Sequence, residues 1–251
     1  IAMLGAYFAA EALLVRHISL PVTIFLFLPI AFIFGGAIGL FLSIPLKKGL
    51  ILNIIVASLA MLLIIEAGVV LVFGGIPLYP KPILTGWLAL GGLSIPYGSL
   101  LTLLVSVGLM LVMFVFFKFT SLGLAMRAVA QHRESALLMG VSIQLVIFLS
   151  WGTASLLSMT SSFLMASLTG ADIMLGLFLV VKGFTAAVIG GFNNLGGAVI
   201  GAFFLGIIDN LIGGYFSADF QIAGTFIILL GILLFRPEGL FRRGGKLSVG
   251  R

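Results

Sequence analysis

The chain has 251 residues, 62% of them hydrophobic and only 8% charged, with a formal net charge of +6 and no cysteine. Soluble domains hold roughly 45–50% apolar and about 25% charged residues, so this chain cannot cover itself with water-compatible surface and takes a bilayer as its solvent. The lack of cysteine excludes disulfides and thiolate metal sites, His17 and His132 match no metal-ligand spacing, and the positive charge reads as basic loops on one side of a membrane rather than as a nucleic-acid surface.

Eight apolar runs follow in chain order, at 1–15, 19–44, 50–73, 99–117, 142–165, 173–190, 195–213 and 221–235. A spanning helix needs about 20 apolar residues. The expectation is therefore an all-α fold, a polytopic transmembrane helical bundle of about eight spans. The first run is short and opens on Ile1, so the chain is expected to begin within a span, with upstream sequence missing and no cleavable signal peptide. Residues 1–251 are expected to form a single transmembrane domain, with 118–141 as a cytoplasmic insertion and 236–251 as a cytoplasmic tail. Of the 33 glycines, Gly35 and Gly39, and again Gly197 and Gly201, have the four-residue spacing that lets helices approach closely. So glycine-rich a chain would also hold such pairs by chance.

The stretch 74–98 carries repeated Gly and Pro, which break helices, and is expected to be a surface or re-entrant loop. Orientation follows from the basic residues. If 118–141 is cytoplasmic and spans alternate, 45–49 and the C-terminus are cytoplasmic too. These regions hold Lys47, Lys48, Lys118, Arg127, Arg133, Arg236, Arg242, Arg243, Lys246 and Arg251, ten of the thirteen basic residues. Opposite loops keep Arg16 and Lys81 beside Asp172 and Asp219, which is the asymmetry expected of cytoplasmic loops.

The polar island at 118–140 supplies Lys118, Arg127, Gln131, His132, Arg133 and Glu134 between two apolar runs. That pattern suits a short helix outside the bilayer on which a soluble partner pushes. Elsewhere, charges within the apolar runs are few. Glu11, Glu66 and Asp209 are either coupling sites of an ion-driven transporter or carboxylates at a helix end or facing another helix. Lys182 lies inside a run, where a cation costs roughly 2.5–3.5 kcal/mol on insertion scales. It can snorkel outward, touch an external partner or meet a substrate carboxylate. Thr153, Ser155, Ser158, Thr160, Ser161 and Ser162 line the fifth run; they offer hydrogen bonds to a moving solute or bond to their own helix carbonyls, the second being favoured. Gly190, Gly191, Gly196 and Gly197 flank Asn193 and Asn194, which implies either unwound backbone along a translocation path or a tight cytoplasmic hairpin. Arg236-Pro237 ends the last run as a headgroup anchor.

Several functions are excluded by motif. The only Gly-Lys after a glycine-rich turn, Gly245-Lys246, is followed by Leu247, so no phosphate-binding loop is present. There is no His-Glu-x-x-His, nucleophile elbow or clustered carboxylate pair, and an embedded enzyme is not expected.

Glu134-Ser-Ala-Leu-Leu-Met-Gly140 matches Glu-Ala-Ala-x-x-x-Gly, the coupling motif of ABC importer permeases, with Ser135 in place of the first Ala. Thr120-Ser-Leu-Gly-Leu-Ala-Met-Arg-Ala-Val-Ala-Gln131, the glycine-rich Val188–Gly201, Arg236-Pro-Glu-Gly-Leu-Phe241 and the opening Ile1–Tyr7 resemble, in order, the branched-chain amino-acid ABC permease family. The region 19–98 matches that family mainly in hydrophobicity.

The resemblance implies a permease subunit of a bacterial or archaeal cytoplasmic (inner) membrane, multi-pass, with its C-terminus in the cytoplasm. It would need no cofactor of its own. Its implied partners are two ABC ATPase subunits, a homologous second permease subunit or itself, and a periplasmic or extracellular binding protein that selects an amino-acid substrate. Arg127, Arg133, Glu134, Ala136 and Gly140 would contact the ATPase, and Lys182, Asn193 and Asn194 are candidates for the translocation path. Urea or short amides are the alternative substrates, and an ion-coupled secondary transporter is the alternative of another class.

Overall fold

The computed structural model describes residues 1–14, 20–46, 51–80, 84, 86–90, 93–191, 194–236 and 239–240. Arg16, His17, Lys47, Lys48, Lys81, Asn193, Pro237, Arg242, Arg243, Lys246 and Arg251 lie outside the described residues, as does the side chain of Asp219. The protein is a polytopic helical membrane protein. Its helices are α1 (Ala2–Leu14), α2 (Leu20–Leu46), α3 (Ile51–Phe73), α4 (Tyr97–Phe119), α5 (Ser121–Gln131), α6 (Arg133–Leu138), α7 (Ile143–Thr169), α8 (Leu175–Gly190), α9 (Leu195–Tyr215) and α10 (Ala218–Phe235). Each of the eight apolar runs is carried by one helix. Five helices, α2, α3, α4, α7 and α9, are long and apolar enough to cross a membrane among the described residues, while α1, α8 and the described part of α10 are shorter apolar helices.

The turn-rich stretch departs from a plain loop. Trp87–Leu90 (β1) and Leu93–Pro96 (β2) pair as an antiparallel hairpin in the register Trp87–Pro96. Pro96 then stands at the N-cap of α4, where a missing N–H costs nothing.

The chain divides into two compact units, residues 1–176 and 177–251. In the first, α1 and α2 pack along α7. Glycine makes the approach possible: a Cβ at Gly35 would meet the side chain of Ser155, and one at Gly39 the ring of Trp151. In return Gly152 of α7 leaves room for Phe32. Below them Phe27, Ala31, Met159, Phe163 and Leu164 form a core. A second core joins Met3, Tyr7 and Val69. The Tyr7 hydroxyl donates to the Ile76 carbonyl at 3.3 Å, and a two-bond bridge between Leu78 and Ala171 ties the start of the turn-rich stretch to the end of α7. Along most of α3 and α4, large apolar side chains are exposed, as lipid requires.

In the second unit Ala186, Ile189 and Leu205 form the core, with Ile228 and Ile232 of α10 against it. The Gly197–Gly201 spacing is used here. A Cβ at Gly201 would stand 2.5 Å from the Ala186 carbonyl, so α8 and α9 touch backbone to backbone.

Candidate functional site

The polar island folds as two short helices joined at His132. At Thr120 the chain leaves α4: the Thr120 hydroxyl donates to the Phe116 carbonyl at 2.6 Å and accepts the Gly123 N–H at 3.0 Å. One residue thus closes α4 and caps α5. A Cβ at Gly123 would stand 2.7 Å from the Phe117 backbone, so the sharp turn demands glycine. Met126 is buried, while Leu124, Arg127 and Gln131 face out. Between α5 and the helices α4 and α7 lies a cleft of about 360 Å³ lined by Met113, Phe117, Met126, Arg127, Thr153 and Leu157 among others.

Arg133 and Glu134 open α6 and are exposed. Glu134 sits in the first turn, where the helix dipole favours an anion. The end of α6 is closed by two backbone bonds, Gly140 N–H to the Leu137 carbonyl at 2.9 Å and Val141 N–H to the Ala136 carbonyl at 3.0 Å. This closure needs a left-handed residue at Gly140, whose φ is +83°. Ala136 is only 3% exposed and packs against its own chain. The atoms offered outward are those of Glu134, Leu137, Leu138 and Met139, with Leu138 91% and Met139 83% exposed. Sequence reading had singled out the small residue; the two large ones beside it carry the outward surface. Their signal was weak, because one more Leu and Met in so apolar a chain draws no notice.

Several hydroxyls of α7 bond to carbonyls of their own helix. Thr153 donates to the Leu149 carbonyl at 2.9 Å, Thr160 to Leu156 at 2.6 Å and Ser162 to Met159 at 3.0 Å.

In the second unit α8 ends at Gly190 and α9 starts at Leu195, with Asn194 at the N-cap position. The Asn194 N–H donates to the Gly191 carbonyl at 3.0 Å. Gly239, after α10, folds back against Gly191, bringing together two segments that are distant in sequence.

Lys182 is not solitary. Its Nζ lies 2.6 Å from Oδ2 of Asp209, the only ion pair among the described residues. Thr225 of α10 is buried; its hydroxyl donates to the Gln221 carbonyl at 3.0 Å and stands 3.5 Å from Oδ1 of Asp209. Close contact of Ala186 with Gly201 sets the level of the two helices, and Asp209 lies two turns beyond Gly201. The lysine stem spans the last of that distance. Lys182 is about 12 Å along α8 from Gly190 at 1.5 Å per residue, near the middle of this apolar helix. Asp209 therefore faces another helix, one of the two roles its sequence position allowed. Its pairing with Lys182 was not foreseen, since the two residues are 27 positions apart. The available signal was one charge of each sign in consecutive apolar runs. Glu11 and Glu66 are half-buried in α1 and α3, and no described cluster of acidic or histidine side chains could hold a metal ion.

Comparison with known proteins covers nearly the whole chain. The family model described as branched-chain amino acid transport system / permease component matches residues 1–235. The high-affinity branched-chain amino acid transport system permease protein LivH of Escherichia coli K12 is 31% identical over 135 residues, covering 53% of this chain and 44% of the relative. The corresponding BraD of Pseudomonas aeruginosa is 27% identical over 216 residues, covering 84% of this chain and 70% of BraD. A probable branched-chain amino acid transport permease protein LivH of Methanocaldococcus jannaschii is 25% identical, covering 95% and 80%. The chain thus spans less than half the length of the E. coli relative. No solved structure matches significantly.

Proposed function

We propose a function from one premise: the chain belongs to the branched-chain amino acid transport permease family. On this reading it is the membrane-spanning subunit of a binding-protein-dependent ABC importer that carries branched-chain or related amino acids inward. Two ATPase subunits supply the energy, a second permease subunit completes the passage, and an external binding protein selects the solute. The chain itself hydrolyses no ATP.

The observation that carries this reading is the α5–α6 pair. It lies between two long apolar helices, with α5 capped by Thr120, polar residues along it, and Leu138 and Met139 exposed near its end. Such an element transmits force from a soluble partner to packed helices, since α5 rests on α4 and α7. Arg127, Arg133, Glu134 and Gly140 are its contact residues or shape it, and Ala136 seats it on its own chain. The basic-residue asymmetry supports a cytoplasmic position for this element and for the C-terminus, and the family supports a bacterial or archaeal inner membrane. Of the candidate path residues we carry Lys182 forward. Asn194 stands at the N-cap of α9, and Asn193 lies outside the described residues.

The test is uptake of labelled leucine by cells with and without this gene, the rest of the locus intact, competed by isoleucine, valine, alanine and urea. Loss of leucine uptake with the gene, relieved by its return and competed only by branched acids, supports the narrow reading. Unchanged leucine uptake moves the substrate to urea, an amide or another amino acid. Uptake that collapses with an uncoupler while ATP stays high overturns the ATP-driven reading in favour of ion coupling.

A further inference from the structure

Helix α5 presents one stripe to the rest of the first unit. At about 100° per residue, Gly123, Met126, Arg127 and Ala130 fall within roughly 100° of one another. Gly123 and Met126 are buried, and Met126, Arg127 and Ala130 line the cleft of about 360 Å³ against α4 and α7. A cation on that stripe is unusual, since the packed face of a helix is normally apolar. The facing walls are Met113 and Phe117 of α4 with Ala154 and Leu157 of α7. Arg127 is exposed, so its guanidinium stands at the mouth of this apolar cleft. No described carboxylate neutralises it, because Lys182–Asp209 is the only ion pair among the described residues. Within the polar island Lys118, Arg127 and Arg133 stand against a single acid, the exposed Glu134 of α6.

The level of the cleft decides which anion can use it. Met113 lies about 9 Å before the end of α4 at 1.5 Å per residue, and both α4 and α7 are long and apolar enough to cross a membrane. At the end of α4, Lys118 lies over the rings of Phe114 and Phe119, 5.3 and 5.2 Å from their centroids. A lysine stem takes that posture where a span meets the headgroups. The cleft thus opens at headgroup level and deepens into hydrocarbon. A soluble partner has no route to its deep end, and a free phosphate gains nothing from the apolar walls. An acyl chain gains from them.

We propose that the α4–α5–α7 cleft binds an anionic phospholipid, its phosphate on the Arg127 guanidinium and an acyl chain along Met113, Phe117 and Leu157. A guanidinium offers a phosphate two parallel donors, and basic pockets between spans on the cytoplasmic side suit such headgroups. Ser150 is the lining residue of α7 nearest its start. Its hydroxyl has no hydrogen-bond partner among the described residues and is free to donate to the same headgroup. The Thr153 hydroxyl instead donates to the Leu149 carbonyl at 2.9 Å. A lipid held there wedges α5 onto two spans. The site rests on the permease reading only for its cytoplasmic side.

The probe is phosphatidylglycerol with a photoactivatable group on its acyl chain, compared with the same group on phosphatidylcholine. The assembled transporter, without solute, is placed in phosphatidylcholine bilayers, illuminated and digested, and the labelled peptides are mapped. The charged probe should label the cleft segments of α4, α5 and α7 roughly tenfold more strongly, the scale of one charge-assisted contact. Arg127→Gln should remove that preference, whereas Arg127→Lys, which keeps the charge, should retain most of it. Ala154→Trp fills the cleft with the cation still in place and should suppress labelling by both lipids. Arg133→Gln, outside the cleft, should leave the pattern unchanged, and excess glycerol phosphate should not compete.

Equal labelling by the two lipids, a preference that survives Arg127→Gln, or competition by glycerol phosphate overturns the inference. So does labelling of the exposed apolar face of α3 with none in the cleft, which would mean that protein covers it. Should Arg127→Gln fail to insert, retention in Arg127→Lys together with loss in Ala154→Trp decides the matter. A flat pattern with normal leucine uptake defeats this site alone. Unchanged leucine uptake on loss of the gene defeats only the substrate and leaves the lipid site standing.

Discussion

The backbone N–H of Leu240 donates to the carbonyl of Ile189 at 2.8 Å, joining the segment after α10 to the last turn of α8. The orphan carbonyls at the end of α8 thus receive a donor from a residue about fifty positions later. Gly239 makes the return possible, at φ +86° and with room for no side chain: a Cβ there would stand 2.5 Å from the Gly191 backbone. Gly239→Val should cost about 2 kcal/mol or more, from left-handed strain and the clash. Thermal unfolding in detergent should fall by roughly 4–8 °C on the scale for a chain of this size. An unchanged midpoint would mean that the return is dispensable.

Gly35 and Gly68 separate packing from propensity. Gly35→Leu drives a side chain into Ser155 and should destabilise by about 1–3 kcal/mol. Around Gly68 a Cβ meets nothing within 4 Å, so Gly68→Ala should stabilise α3 by roughly 0.5–1 kcal/mol. The two midpoints should move in opposite directions; a shared direction would contradict the packing.

Leu138→Asp tests the protruding tip. At 91% exposure it should leave folding within about 0.5 kcal/mol while abolishing co-purification of the ATPase subunits. Gly140→Glu should abolish transport with the protein still inserted, because the closure of α6 needs left-handed backbone. Retained ATPase in the first variant or normal uptake in the second would remove α6 from the coupling role.

The α7 hydroxyls should be replaceable. Ser162 and Thr160 bond their own helix carbonyls, so Ser162→Ala and Thr160→Val should change stability by less than about 1 kcal/mol and leave uptake intact. A specific loss of uptake with normal stability would make α7 a path-lining helix.

Composition and run length alone determined that this chain lives in a bilayer, and each of the eight apolar runs at 1–15 through 221–235 became a helix. Those are local quantities: a run of about 20 apolar residues has no better solution in lipid than a helix. The glycine at 140 was equally legible, because a helix stop beside a polar island demands a left-handed residue. The β1–β2 hairpin was not, since its short strands sit among prolines that argue against regular structure. What only the tertiary structure decided were the meetings between distant residues: Gly35 with Ser155, Gly239 with Gly191, Lys182 with Asp209. A sequence shows that a lysine in a span must be compensated; which carboxylate compensates it depends on how α8 and α9 slide against each other. Backbone contact at Gly201 stops that sliding at the one register where the lysine stem reaches Asp209.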